Sequence, residues 1–124
     1  MRKPFISVVD GDPSVRKSLE RLLKAAGFEA TTFACARDFL ERGDLAPTPE
    51  CLILDTHLGG MNGFELYEHL VAAGAAVPVI FMTAHDDVLT RERARKIGLC
   101  LRKPFEQHAL LGAIYRALKQ EETA

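Results

Sequence analysis

The chain has 124 residues, a formal net charge of −1, 48% apolar and 27% charged residues, the balance of one ordinary globular domain with a real core. A near-neutral charge argues against nucleic acid or an anionic membrane surface as the main partner, and no apolar run is long enough to span a bilayer. Cys35, Cys51 and Cys100 are odd in number and lack metal-like spacing, so they read as reduced thiols of a cytoplasmic protein.

The N-terminal apolar run is short and meets an aspartate, unlike a signal peptide. Phe5–Asp10 (FISVVD) reads as a strand. The next segment puts Val15, Leu19, Leu22, Leu23 and Ala26 on one helical face, with Asp12 as N-cap, Pro13 in the first turn and Gly27 as the stop. Glu29–Phe33 (EATTF) is half polar and suits a strand near a sheet edge. A short helix over about Ala36–Arg42 and a loop (GDLAPTPE) lead to the continuous apolar strand Cys51–Asp55 (CLILD).

A Gly-rich turn, THLGGMNG, then precedes a helix carrying Phe64, Tyr67, Leu70 and Val71 on its apolar side. Val77–Thr83 (VPVIFMT) is another apolar strand, and Asp86–Ile97 is helical but thinly apolar. GLCLRKPF holds a brief last strand, and Glu106–Gln120 forms the final helix through Leu110, Leu111, Ile114 and Leu118. Gln120–Ala124 reads as a frayed tail. Five βα units with continuous apolar strands predict an α/β domain, a parallel sheet covered on both faces.

Polar chemistry collects where these strands end. Asp10 closes the first, Asp55 the third and Thr83 the fourth, and Lys103 follows the fifth. In open α/β sheets ligands bind beyond the carboxyl ends of the strands, so these four residues should converge on one site. Two carboxylates suit Mg²⁺, a lysine suits a phosphoryl oxygen, a threonine can donate a hydrogen bond to the same group, and a carboxylate can itself be the nucleophile.

The segments VVDGDPSVRKSL, LILDTHLGGMNGFEL, VIFMTAH and LRKPF, in this order, make nearly the whole chain resemble the receiver domain of bacterial two-component response regulators, above all receivers that precede a helix-turn-helix DNA-binding domain. The resemblance implies a flavodoxin-like (βα)5 fold with strand order 2-1-3-4-5 and one receiver domain over residues 1–124. It implies a signalling domain rather than an enzyme, at most catalysing its own phosphotransfer and dephosphorylation. Asp55 would accept a phosphoryl group from a sensor histidine kinase. Mg²⁺ would be held by Asp10, Asp55 and the backbone carbonyl of His57, Lys103 would contact the phosphoryl group, and Thr83 would move toward it. The partners implied are the kinase and a downstream protein or DNA-binding output domain, with a possible homodimer through the last two helices. No output domain follows the last helix, so the chain reads as a stand-alone receiver or one excised from a longer regulator.

Four positions depart from the family's pattern. Gly11 stands where the second acidic metal ligand is usual, which predicts a weakened Mg²⁺ site, because Asp12 is expected to cap the helix instead. Gly59 replaces a proline, and Gly59-Gly60 loosens the loop after the acceptor. Cys100 replaces the aromatic switch residue that partners Thr83. The stretch from Thr83 to Lys103 is short by about two residues, which alters the fourth helix or its junction with the last strand.

These departures leave a second reading open, a degenerate receiver acting as a phosphorylation-independent interaction module. A flavin-binding protein fits poorly, because no hydroxyl-rich phosphate cradle follows Asp10. His57 and His85 read as solvent-exposed loop histidines, the alternative being a transition-metal site with Asp10 and Asp55. Cys35 is read as structural, and Cys100 either as a small buried apolar residue or as a redox-sensitive switch. Arg91–Lys96 (RERARK) is a solvated helix face or a partner surface.

Overall fold

The computed structural model describes residues 3–42, 48–84 and 87–123. Five parallel strands, β1 (Phe5–Val9), β2 (Glu29–Phe33), β3 (Cys51–Asp55), β4 (Val79–Thr83) and β5 (Leu99–Arg102), form one sheet in the order β2-β1-β3-β4-β5. The connecting helices are α1 (Pro13–Ala25), α2 (Ala36–Arg42), α3 (Gly63–Ala72), α4 (Val88–Ile97) and α5 (Gln107–Thr123). This is the flavodoxin-like (βα)5 fold expected from the sequence, with half-polar β2 at the edge.

The period-2 alternation of the strands divides the core into two layers. Ile6, Val8, Cys51, Ile53, Ile80 and Met82 face one way and pack with Leu19 and Leu23 of α1 and with Leu110 and Ile114 of α5. Val9, Leu52, Leu54 and Phe81 face the other way, onto Phe39 of α2, Phe64 and Leu70 of α3 and Ala94 of α4. Strands buried on both faces need the unbroken apolar runs that identified them.

Local chemistry sets the helix ends. Asp12 accepts a hydrogen bond from the Ser14 amide at 2.8 Å and caps α1, whose chain leaves through Gly27 at φ 95°. Asn62 and Glu65 close a reciprocal capping box on α3. β4 starts at Val79, two residues later than expected, because Pro78 has no N–H for the ladder, although its carbonyl still accepts from the Leu52 amide. α4 starts at Val88 rather than at position 86, since Asp87 is spent as its N-cap. α5 spans Gln107–Thr123.

Within the Thr83–Lys103 stretch, the α4–β5 junction is very tight. Gly98 alone separates the two elements, and a Cβ there would stand 2.6 Å from the Val79 carbonyl oxygen. Only a glycine lets the helix end this close to β4. α4 is correspondingly weakly anchored by apolar packing, Ala94 being its one buried residue.

Candidate functional site

The strand order reverses between β1 and β3: the chain leaves β1 toward β2 on one side and returns to β3 on the other. Loops therefore diverge beyond the C-terminal ends of β1 and β3 and leave a crevice. Asp10 follows β1 directly and Asp55 is the last residue of β3, so both carboxylates enter that crevice. Lys103, just past β5, reaches across to them. Its Nζ lies 2.8 Å from Asp10 Oδ2 and 3.2 Å from Asp55 Oδ2.

Each carboxylate also accepts a backbone N–H two residues ahead. The Asp12 amide donates to Asp10 Oδ1 at 2.8 Å, and the His57 amide donates to Asp55 Oδ1 at 3.0 Å. The side chain of Asp10 is fully buried and that of Asp55 is 13% exposed. Buried carboxylates of this kind need a positive neighbour, and the Lys103 ammonium supplies it. Burial works against the charge on Lys103, but the hydrogen bond to Asp10 and the charges of Asp55 and Asp10 outweigh it and raise its pKa above the ordinary lysine value. Lys103 is also held by its backbone, its amide donating to the Thr83 carbonyl at 2.8 Å.

Thr83 ends β4 beside this group and is fully buried, but its hydroxyl lies 3.7 Å from Cys100 Sγ. Cys100 is half-buried and packs against the α3–α4 side of the core, as a small apolar residue would. Asp10, Asp55 and Lys103 thus form one hydrogen-bonded group, and Thr83 adjoins it through the backbone of Lys103.

The donor set fits a small hard cation held through oxygen and water, with one charged ligand fewer than a three-carboxylate site. Among the described residues no group of three or more His, Cys, Asp or Glu side chains could hold a metal. At Gly11 an added Cβ would meet nothing closer than the Ala34 carbonyl oxygen at 3.9 Å, an ordinary contact, so a side chain could start there without a clash. Asp12 points its carboxylate at the helix end, as its capping role requires, and is exposed.

Two features escaped the sequence reading. Arg16 Nη1 donates to the Asp10 carbonyl at 2.8 Å and braces the turn through Gly11. The His57 imidazole is solvent-exposed as expected, but it also donates from Nε2 to Asp87 Oδ2 at 3.0 Å. Hydrogen bonds from the Thr90 side chain, His57 and the Thr90 amide hold the Asp87 carboxyl below the usual carboxylate range. The one local signal for Asp87 was an N-cap residue type ahead of a weak helix. His85 lies outside the described residues.

Comparison with known proteins shows the family and the fold. Residues 6–115 match the response regulator receiver domain family. Transcriptional regulatory protein FixJ of Bradyrhizobium diazoefficiens is 37% identical over 126 residues, covering 98% of this chain and 60% of that protein. The structure of response regulator StyR has 46% identity and a TM-score of 0.83 over 96% of this chain and 61% of that one. A response regulator receiver protein from Burkholderia phymatum has 42% identity and a TM-score of 0.82 over 94% and 96%. The chain spans between 50% and 60% of the length of the curated relatives it matches most strongly.

Proposed function

This chain belongs to the response regulator receiver domain family, a family of phosphoacceptor signalling domains rather than enzymes, and from that premise we propose that Asp55 is its phosphoacceptor. A carboxylate oxygen of Asp55 attacks the phosphorus of a phosphohistidine on a sensor histidine kinase. The P–N bond breaks, the imidazole leaves and takes up a proton, and an aspartyl phosphate remains. The observation that carries the reading is Lys103 Nζ within 3.2 Å of both strand-end carboxylates.

Asp10, Asp55 and the backbone carbonyl of His57 would hold Mg²⁺, which when bound supplies charge neutralisation between the carboxylates and the phosphoryl oxygens. Lys103, already the counter-charge of both carboxylates, follows the negative charge onto the phosphoryl group. Thr83 turns its hydroxyl from Cys100 toward the same group. That exchange of partners carries the signal to a downstream protein or a DNA-binding output domain, or to a second copy through the last two helices. The protein works in the cytoplasm and does not itself contact nucleic acid.

The test is incubation with acetyl phosphate and Mg²⁺, followed by intact mass. One phosphoryl adduct is expected, absent in Asp55→Asn and in excess chelator. A folded wild type that gains no adduct at saturating Mg²⁺ rules the reading out.

A further inference from the structure

α4 has one buried residue, Ala94, and ends on a single glycine, so apolar packing alone fixes it poorly. Its position depends on polar tethers. Near its middle, the Arg93 guanidinium stacks 4.1 Å above the Phe64 ring of α3 and reaches Glu68 at 3.4 Å. At its start Asp87 makes two bonds at once: Oδ1 accepts from the Thr90 amide at 3.1 Å, and Oδ2 accepts from His57 Nε2 at 3.0 Å. The same His57 donates its backbone N–H to Asp55 Oδ1. Asp55, His57, Asp87 and the first turn of α4 therefore form one continuous chain of hydrogen bonds. Just beyond His57 the loop continues through Gly59 and Gly60, the latter at φ 76°, two residues that restrict the backbone less than any others.

We propose that Asp87 is a positioning residue for the acceptor loop: through the His57 imidazole it keeps the His57 amide on Asp55, and it ties any movement of that loop to the N-terminus of α4. The carboxylate does by a side-chain bond what a stiffer loop would do by restricting its backbone. Its consequence for phosphorylation rests on the reading above, because His57 also offers the carbonyl of the proposed Mg²⁺ site. The bond itself does not.

Asp87→Ser separates the two roles, since serine caps a helix about as well as aspartate but is too short to reach His57. In the metal-free protein, hydrogen exchange followed by NMR should show protection of the His57 amide falling about fivefold, while the Thr90 amide keeps its protection. His57→Ala should lower protection at position 57 by the same factor, His57→Gln, whose Nε2 reaches the imidazole's place, should restore it, and the double variant Asp87→Ser/His57→Ala should be no worse than either single one. In phosphorylation by acetyl phosphate, Asp87→Ser should raise the half-saturating Mg²⁺ about threefold and leave the saturated rate unchanged. Unchanged protection at His57 in Asp87→Ser, or additive losses in the double variant, overturns the proposal. A wild type that is never phosphorylated overturns the proposed function instead, and the exchange measurements still decide the role of Asp87.

Discussion

The Thr83 hydroxyl lies 3.7 Å from Cys100 Sγ, across the neighbouring strands β4 and β5. In the register Cys100 stands beside Phe81, two residues before Thr83, so both side chains share the sheet face that α3 and α4 cover. A thiol is a weak partner for a hydroxyl, so this contact yields readily to a phosphoryl oxygen. Thr83→Val keeps the volume and removes the hydroxyl. We expect it to fold within about 1 kcal/mol of wild type and still to be phosphorylated. The Cβ chemical shift of Cys100 should move on phosphorylation in wild type and stay still in the variant. A shift that persists in Thr83→Val would mean that Cys100 responds by another route.

The fold and the heart of the site were legible because both depend on short-range rules. Parallel strands buried on both faces must be apolar throughout, and their carboxyl ends must gather in one place, so Asp10, Asp55, Thr83 and Lys103 could be joined from their places at the strand ends. The resemblance supplied the roles. The His57–Asp87 bond was illegible because it joins an exposed and a half-buried residue of two loops across 30 positions, and neither residue type demands a partner near a surface. The one-residue α4–β5 junction was half legible. A glycine after a helical pattern was visible as a stop, but that the junction is a single residue depends on the approach of the Val79 carbonyl, which no local pattern reports.

That approach makes Gly98 and Gly112 opposites. Gly98→Ala places a methyl 2.6 Å from a backbone oxygen that cannot swing aside, so β4 and the end of α4 must separate. We expect a loss of about 2 kcal/mol in urea unfolding. At Gly112, inside α5, an added Cβ meets nothing within 4 Å, and Gly112→Ala should gain about 0.5–1 kcal/mol from helix propensity. Equal effects at the two positions would contradict the account of the junction.

Lys103 is the counter-charge of Asp10 and Asp55, and its removal should unmask them. Lys103→Met leaves the buried Asp10 carboxylate facing Asp55 with no cation, and thermal unfolding in chelator should show a loss of about 3 kcal/mol. Mg²⁺ should then raise the melting temperature of the variant more than that of wild type, the ion taking the place of the ammonium. The pH dependence has a definite sign. The pKa of Lys103 is raised on folding, so its stabilisation is complete below the unfolded lysine value of about 10.4 and fades as pH rises through the higher folded value. Wild type should lose stability in that alkaline window, and Lys103→Met should lack this component of the loss.

Gly11 and Asp12 are neighbours with different surroundings. Asp12 caps α1, and a side chain at Gly11 would meet nothing closer than 3.9 Å, so on the proposed Mg²⁺ site substitutions at the two positions should separate cleanly. Asp12→Ala should lose about 1 kcal/mol of stability with no change in Mg²⁺ affinity, and Asp12→Ser should lose almost nothing. Gly11→Asp faces no steric barrier, but it brings a third carboxylate to a site with a single lysine. In chelator it should melt below wild type through like-charge repulsion. With Mg²⁺ the order should reverse, and the half-saturating concentration for phosphorylation should fall about tenfold, the effect of one added charged ligand on a hard cation. If Asp12→Ala weakens Mg²⁺ binding instead, Asp12 is a ligand and its capping bond is secondary. If Gly11→Asp leaves the Mg²⁺ dependence unchanged, Asp10 and Asp55 do not hold the cation on the side that Gly11 opens.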